Sequence, residues 1–158
     1  MKKLILVSVC ILSSILFLQA QENVKKEQEA IKKVIQSAYV DGLCNNADEK
    51  AVEAGFHPGF TLVGIGQGKT MWKHPIYNWI ENAKAGKAKG LKYSFQNEFT
   101  TIKFLFVDVA GTAATAKIEF YEGGELKFID YLSLLKFEDE WKIVSKIYYA
   151  LPKEKKEE

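Results

Sequence analysis

The chain has 158 residues, with 22 basic and 20 acidic side chains and a formal net charge of +2. Every basic residue is lysine; arginine, whose planar fork best grips phosphate and carboxylate groups, is absent. A nearly balanced charge without arginine argues against nucleic acid and other polyanions as partners.

Met1-Lys2-Lys3 opens the chain, a largely apolar run follows from Leu4 to Leu18, and Gln19-Ala20-Gln21 offers a small-residue cleavage site. That order predicts a signal peptide over residues 1–20. The run is shorter than the roughly 20 residues a spanning helix needs. The expectation is an exported protein, periplasmic or secreted, with no membrane attachment after cleavage. Cleavage removes Lys2 and Lys3, and with them the net charge. Cys10 lies in the apolar run, so Cys44 is left as a single thiol without an internal disulfide partner, expected to be buried and inert. Residues 21–152 fit one domain large enough to bury a core. The tail, 153–158, is a charged run with nothing to bury and is expected to be disordered.

From Asn23 to Leu43, Val24, Ile31, Val34, Ile35, Ala38 and Tyr39 recur at three- and four-residue spacing, which predicts an amphipathic helix. A short second helix is expected from Asn46 or Asp48, both good N-caps, to Gly55. Pro58-Gly59 marks a turn, and a first strand is expected near 60–66, bent or bulged at Gly64 and Gly66. In "KHPIYNWIENAKAG" the proline suits a helix start, Ile76, Trp79, Ile80 and Ala83 make a stripe, and Gly86 reads as the stop, with a mobile loop over 84–90.

Strand-like runs then occupy 91–109, 113–122, 125–137 and 141–149, separated by Ala110-Gly111, Gly123-Gly124 and Glu138-Asp139-Glu140. Each separator is a hairpin signal, and Gly-Gly favours a tight primed turn. Three helices ahead of an antiparallel meander make an α+β domain, with the helices packed on one face of a curved sheet. Strict alternation along the last strand groups Trp141 with Ile143, Ser145 and Ile147, and puts Lys142, Val144, Lys146 and Tyr148 on the opposite face.

Three segments, "AYVDGLCNNADEKAVEAGFHPGFTLVGIG" (38–66), "VDVAGTAATAKIEF" (107–120) and "FIDYLSLLKFEDEWKIVSKIYY" (128–149), carry a resemblance. In this order they resemble the cone-shaped fold of nuclear transport factor 2 and its relatives, which include ketosteroid isomerase and the SnoaL-type polyketide cyclases. The nearest resemblance is to the small bacterial proteins of the lumazine-binding family. In that fold the concave side of the sheet meets the helices and the convex side often meets another subunit, which implies a homodimer. The scaffold hosts enzymes, binders and assembly modules alike, so function has to be argued from the site.

The resemblance also implies a test for catalysis. In the ketosteroid-isomerase-like relatives a first-helix tyrosine acts as oxyanion donor and a first-strand carboxylate as proton-abstracting base. Tyr39 falls where that tyrosine would be, whereas the base position falls near Gly64, and residues 60–68 contain no Asp or Glu. Glycine abstracts no proton, so that mechanism is expected to be absent.

Other constellations are weaker. "GIGQGKT" is one residue short of a phosphate-binding loop, which argues for a bulge rather than nucleotide binding. His57 and His74 have no second ligand at a helical metal spacing, so neither metal nor cofactor is expected. His57, at the "F-H-P" step, reads either as a local structural group hydrogen-bonded to nearby backbone or as a catalytic one. His74, at the expected helix start, reads as solvent-facing. Asp130 interrupts an apolar strand; it is either a functional carboxylate with a perturbed pKa or the partner of a lysine on a neighbouring strand, such as Lys146 or Lys117. Two faces of the 128–149 hairpin compete for the concave side: Asp130, Leu132 and Leu134, or Tyr131, Ser133 and Leu135.

The expected function is a binding domain for a small, apolar or aromatic molecule, in a pocket lined by Tyr39, His57, Trp79, Asp130 and Tyr131. The alternative is an isomerase, dehydratase or hydrolase using Asp130 or His57 with Tyr39. A purely structural module would leave no ligand-sized cavity.

Overall fold

The computed structural model describes residues 21–93 and 98–152; the expected signal peptide (1–20) and charged tail (153–158) lie outside them. The first helix, α1, is α-helical over 21–34 and widens into a π-helix over Ile35–Asn46. The wider turn buries Ala38, Tyr39 and Val40 together, then Leu43, Cys44 and Asn45. A 3.6-residue helix would bury only a single stripe of such a run. Ala47 reverses the chain in the left-handed region, and Asp48 caps α2 (Glu49–Gly55) by accepting the Ala51 N–H at 3.2 Å.

Helix α3 spans Ile76–Ala88 and buries Ile76, Ile80 and Ala83. It runs through Gly86, contrary to the expected stop and the expected loop over 84–90. The helix closes instead where Gly90 N–H donates to Lys87 O at 2.9 Å and Leu91 N–H to Gly86 O at 3.1 Å. A glycine inside a helix weakens it without ending it; the end lies where the last carbonyls find these donors.

Six strands, β1 (Phe56–Ile65), β2 (Met71–Pro75), β3 (Thr100–Ala110), β4 (Ala113–Glu122), β5 (Glu125–Phe137) and β6 (Glu140–Ala150), form one sheet in the order β2-β1-β6-β5-β4-β3. The meander from β3 to β6 follows its hairpin signals; Gly123 and Gly124 both sit at positive φ, as the tight turn between β4 and β5 requires. The strand expected over 91–109 begins only at Thr100. Two features of the strand pairing also depart from the sequence expectation. Residues 71–75 form a strand antiparallel to β1, and β1 runs parallel to β6, so the sheet is mixed rather than wholly antiparallel.

The register slips at Leu105 in β3, Lys127 in β5 and Val144 in β6, each an extra residue opposite one partner. Such bulges bend a strand and reverse the phase of its side chains. In β6, Ser145 pairs with Ser133 but Ile143 pairs with Leu134. Strict alternation therefore fails. Trp141 and Ile143 share the inner face with Lys146 rather than opposing it, and all three are buried.

The inner face carries Ala116, Ile118 and Phe120 from β4, Leu132 and Leu134 from β5, and Trp141 and Ile143 from β6. These form one cluster with Ile31, Ile35, Tyr39 and Leu43 of α1, Val52 of α2, and Ile80 of α3. Each fully buried Leu or Ile contributes about 1.5–3 kcal/mol by removing apolar surface from water. A polar clasp holds α1 in place: Glu27 accepts from Lys136 Nζ at 2.7 Å and from Trp141 Nε1 at 2.6 Å.

Candidate functional site

At the centre of the inner face, Tyr39, Asp130 and Lys146 meet inside the core. The Tyr39 hydroxyl donates to Asp130 Oδ2 at 2.9 Å, while Lys146 Nζ donates to the same oxygen and to the Tyr39 oxygen, each at 2.5 Å. Asp130 is wholly buried and Lys146 is 5 % exposed. Ionised groups this deep persist only when paired and hydrogen-bonded, a condition each side chain meets for the others. Asp130 Oδ1 is buried and has no hydrogen-bond partner among the described residues. The carboxylate thus keeps one acceptor open.

Aromatic faces surround the Lys146 ammonium. Its nitrogen lies 4.7 Å from the ring centre of Tyr39, 5.4 Å from Phe120, 5.5 Å from Tyr148 and 5.6 Å from Trp79. The Phe120, Tyr148 and Trp79 rings contribute their quadrupoles, while Tyr39 meets the ammonium through its hydroxyl oxygen. Burial, and then the charge of Asp130, pushes the Tyr39 phenol well above its ordinary range. Tyr39 is therefore a neutral donor at any working pH, and its one O–H is committed to Asp130. Burial likewise pushes the Cys44 thiol up, which makes it inert.

Above this cluster lies a cavity of about 220 Å³, lined by Tyr39 and Cys44 of α1, Leu62 of β1, Trp79 of α3, Phe120 and Glu122 of β4, Phe128 of β5, and Lys146 and Tyr148 of β6. Its walls are mostly aromatic: Tyr39 stacks on Phe120 at 5.6 Å, Phe120 meets Phe128 at 5.7 Å, and Phe128 meets Tyr148 edge-on at 5.5 Å. A second cavity, about 250 Å³, lies among Val52, Phe56, Ile76 and Ile80, with Glu49 and Glu53 also lining it. It contains no buried charged group. The first is the better candidate because a fixed donor faces an apolar space there.

Of the five residues singled out in the sequence, Tyr39 and Trp79 line this cavity, and Asp130 lies behind it, bonded to two of its lining side chains. His57 and Tyr131 do not line it. The His57 imidazole accepts the Gly59 N–H at 3.0 Å and stacks on Phe137 at 4.7 Å, so it fixes the Pro58-Gly59 turn. Tyr131 points from the outer face, 38 % exposed, beneath the Lys117 ammonium at 5.2 Å. The concave face is thus that of Asp130, Leu132 and Leu134. His74 sits half-buried on β2, paired with Leu62, and not at a helix start.

Gly64 also lies on the inner face, cross-strand from Trp72. A Cβ built on Gly64 would fall 2.2 Å from the Trp72 ring, so the indole fills the place a side chain there would need. Sequence reasoning missed Cys44, Leu62, Phe120, Glu122, Phe128 and Tyr148 as lining residues and weighed Lys146 only as an ion-pair partner. A lysine between Ser145 and Ile147 in a largely apolar strand was the available signal. Among the described residues no group of three or more His, Cys, Asp or Glu side chains comes together as a metal site.

Three comparisons place this geometry among known proteins. No curated sequence matches the chain. Among solved structures, it is similar to an NTF2-like protein of unknown function from Shewanella baltica OS155, at 26 % identity and TM-score 0.60, covering 78 % of this chain and 93 % of that one. It is also similar to one from Silicibacter pomeroyi DSS-3, at 24 % identity and TM-score 0.59, covering 78 % and 94 %. An NTF2-like protein from Cytophaga hutchinsonii, at 13 % identity, TM-score 0.58 and coverage of 78 % and 97 %, shares the fold. The family model described as "Putative lumazine-binding" matches residues 26–149. With helices on the concave face of a bent six-stranded sheet, and most of its length matched, the chain belongs to that lumazine-binding family of the NTF2-like fold.

Proposed function

We propose that the protein is an exported binding domain that holds a small aromatic or largely apolar molecule in the cavity above Lys146. The single observation that carries this is the cavity itself, about 220 Å³ with five aromatic side chains in its lining and one buried ammonium. Drug-sized ligands fill roughly 300–1,000 Å³. A smaller space suits a molecule of one or two rings. The family description supports a ligand of this kind, and the leader-like residues 1–20 support export.

Binding without chemistry is favoured by what surrounds Asp130. Its Oδ2 already accepts from Tyr39 and Lys146, and both side chains stand between the carboxylate and the cavity. The Trp72 ring covers Gly64, the position from which a related isomerase would abstract a proton. The rival pairing of His57 with Tyr39 is not assembled, since His57 packs on Phe137.

The outer face supports a homodimer. Tyr131, Leu135, Ile147 and Tyr149 stand there 38–58 % exposed, apolar side chains that a second copy of the chain would cover. Titration of the purified protein with lumazine and with naphthalene, read through tryptophan emission, tests the binding. Saturable quenching is expected, reduced by Trp79→Leu; no saturable binding of either probe overturns the proposal. Sedimentation velocity tests the dimer, which Ile147→Lys is expected to split.

A further inference from the structure

The charged end of Lys146, and not its stem alone, belongs to the cavity wall. Its Nζ lies 5.4, 5.5 and 5.6 Å from the ring centres of Phe120, Tyr148 and Trp79, and all three rings line the cavity. An ammonium carries three N–H donors and no acceptor. Two of them are taken behind the cavity, by the Tyr39 oxygen and by Asp130 Oδ2. The third has no oxygen or nitrogen acceptor among the described residues and meets only ring faces, which are weaker partners than a carbonyl oxygen. Tyr39 offers a ligand no donor, because its O–H is held by Asp130. Glu122, the other charged group of the lining, is itself engaged, so the remaining N–H of Lys146 is the contact left to a ligand.

We infer that the cavity selects a planar ring carrying a hydrogen-bond acceptor, a ketone or ring carbonyl oxygen, placed to take the third N–H of Lys146. The aromatic walls bury the ring, and the ammonium fixes its orientation, acceptor end toward Lys146. Asp130 already balances the Lys146 charge, so the pair presents a donor rather than a free cation. A neutral carbonyl gains a charge-assisted hydrogen bond there without bringing in a further charge to desolvate. A hydrocarbon of the same shape would fill the same walls, shut water away from Nζ and leave the donor with ring faces alone, a loss of the order of tenfold in affinity. Burial of area alone would give the reverse order, since the hydrocarbon is the less polar of the two.

This inference rests on the proposed binding role, and one matched pair of probes separates the two. 2-Acetonaphthone and 2-isopropenylnaphthalene have nearly the same shape and differ in a carbonyl oxygen against a methylene carbon. Dissociation constants of both for the purified protein are measured by equilibrium dialysis. The ketone is expected to bind about tenfold tighter than the alkene. In the variant carrying Tyr39→Phe, Asp130→Val and Lys146→Met together, the order is expected to reverse. The carbonyl stretch of the bound ketone, read by infrared spectroscopy on the unaltered protein, is expected at lower wavenumber than in hexane, so the assignment is tested even where the variant folds poorly. If the alkene binds as tightly as the ketone, or the stretch stays at its hexane position, the selection is overturned and the binding role stands. A ketone preference that survives in the folded variant also overturns it, because the donor would then lie elsewhere. If neither probe binds, both fall.

Discussion

The two faces of the β5–β6 hairpin reverse the usual distribution of polarity. Inside, Asp130 and Lys146 lie buried among Leu132, Leu134, Trp141 and Ile143; outside, Ile147 and Tyr149 are 55 % and 58 % exposed. Charge is thus enclosed where a core would suffice, and apolar surface is left in water where lysines would serve. Packing alone would produce neither arrangement, since an all-apolar interior and a charged exterior are the more stable solution. The difference is the one that the proposed ligand inside and the proposed second copy outside would call for.

The largest effect that would break this contrast is expected at Lys146. Lys146→Met leaves Asp130 buried without its cation and should cost about 3–5 kcal/mol in urea unfolding. Replacing the whole cluster, Tyr39→Phe with Asp130→Val and Lys146→Met, should recover most of that loss, because no unpaired polar group is then left behind. A loss below about 1 kcal/mol for Lys146→Met would mean that the ion pair does not hold Asp130 in place.

Next in size is a matched pair of truncations. Ile143→Ala, on the inner face, should cost about 2–5 kcal/mol. Ile147→Ala, four residues on and outward, should cost no more than about 0.5 kcal/mol in the isolated subunit. Equal losses at the two positions would erase the distinction between the faces.

The outer contrast reads directly from sequence in some places and not in others. The turns of the meander are visible because Gly123-Gly124 and Glu138-Asp139 punctuate apolar runs, and chain order alone then pairs the strands. Strand β2 is not visible: "MWKHP" is five residues long and ends in a proline that also suits a helix start. The decisive miss is the bulge at Val144. Nothing in "KIVSKIYY" marks it, yet it turns Lys146 from the face of Lys142 to that of Trp141. Tyr39 was legible through its helix position, but its partner lies 107 residues away and only the folded chain brings them together. His57 was misplaced in the expected pocket because its local turn, two residues long, satisfies it before any distant partner can.

A smaller effect is expected at the clasp on α1. Hydrogen bonds from Lys136 and Trp141 hold the Glu27 carboxyl below its ordinary range. A carboxyl depressed on folding stabilises above its unfolded pKa, and that contribution disappears as pH falls through the folded one. Glu27→Gln should therefore cost about 1 kcal/mol or less near neutrality, since Glu27 is partly exposed. The gap between the wild-type and variant unfolding curves should close as the pH falls below the ordinary glutamate range and through the lowered folded pKa. A gap that persisted in acid would assign the clasp to packing.

The smallest effect is a gain. Glu138 occupies the left-handed region at φ 54° in the turn that joins the two strands. Glu138→Gly should stabilise by about 0.5–1 kcal/mol, the left-handed penalty net of glycine's greater freedom in the unfolded chain. Thermal unfolding measures it, and the change should leave ligand affinity untouched.

The indole lying flat over Gly64 shuts a route to new chemistry. A mutation that placed an acid at residue 64 would drive the ring off the sheet before the acid could reach any ligand. Turning this scaffold into an isomerase would thus take two coordinated replacements, a smaller residue at 72 first and the acid second. Clones of a library randomised at residue 64 that carry any residue but glycine should show a displaced Trp72 indole, read as a shift in tryptophan emission.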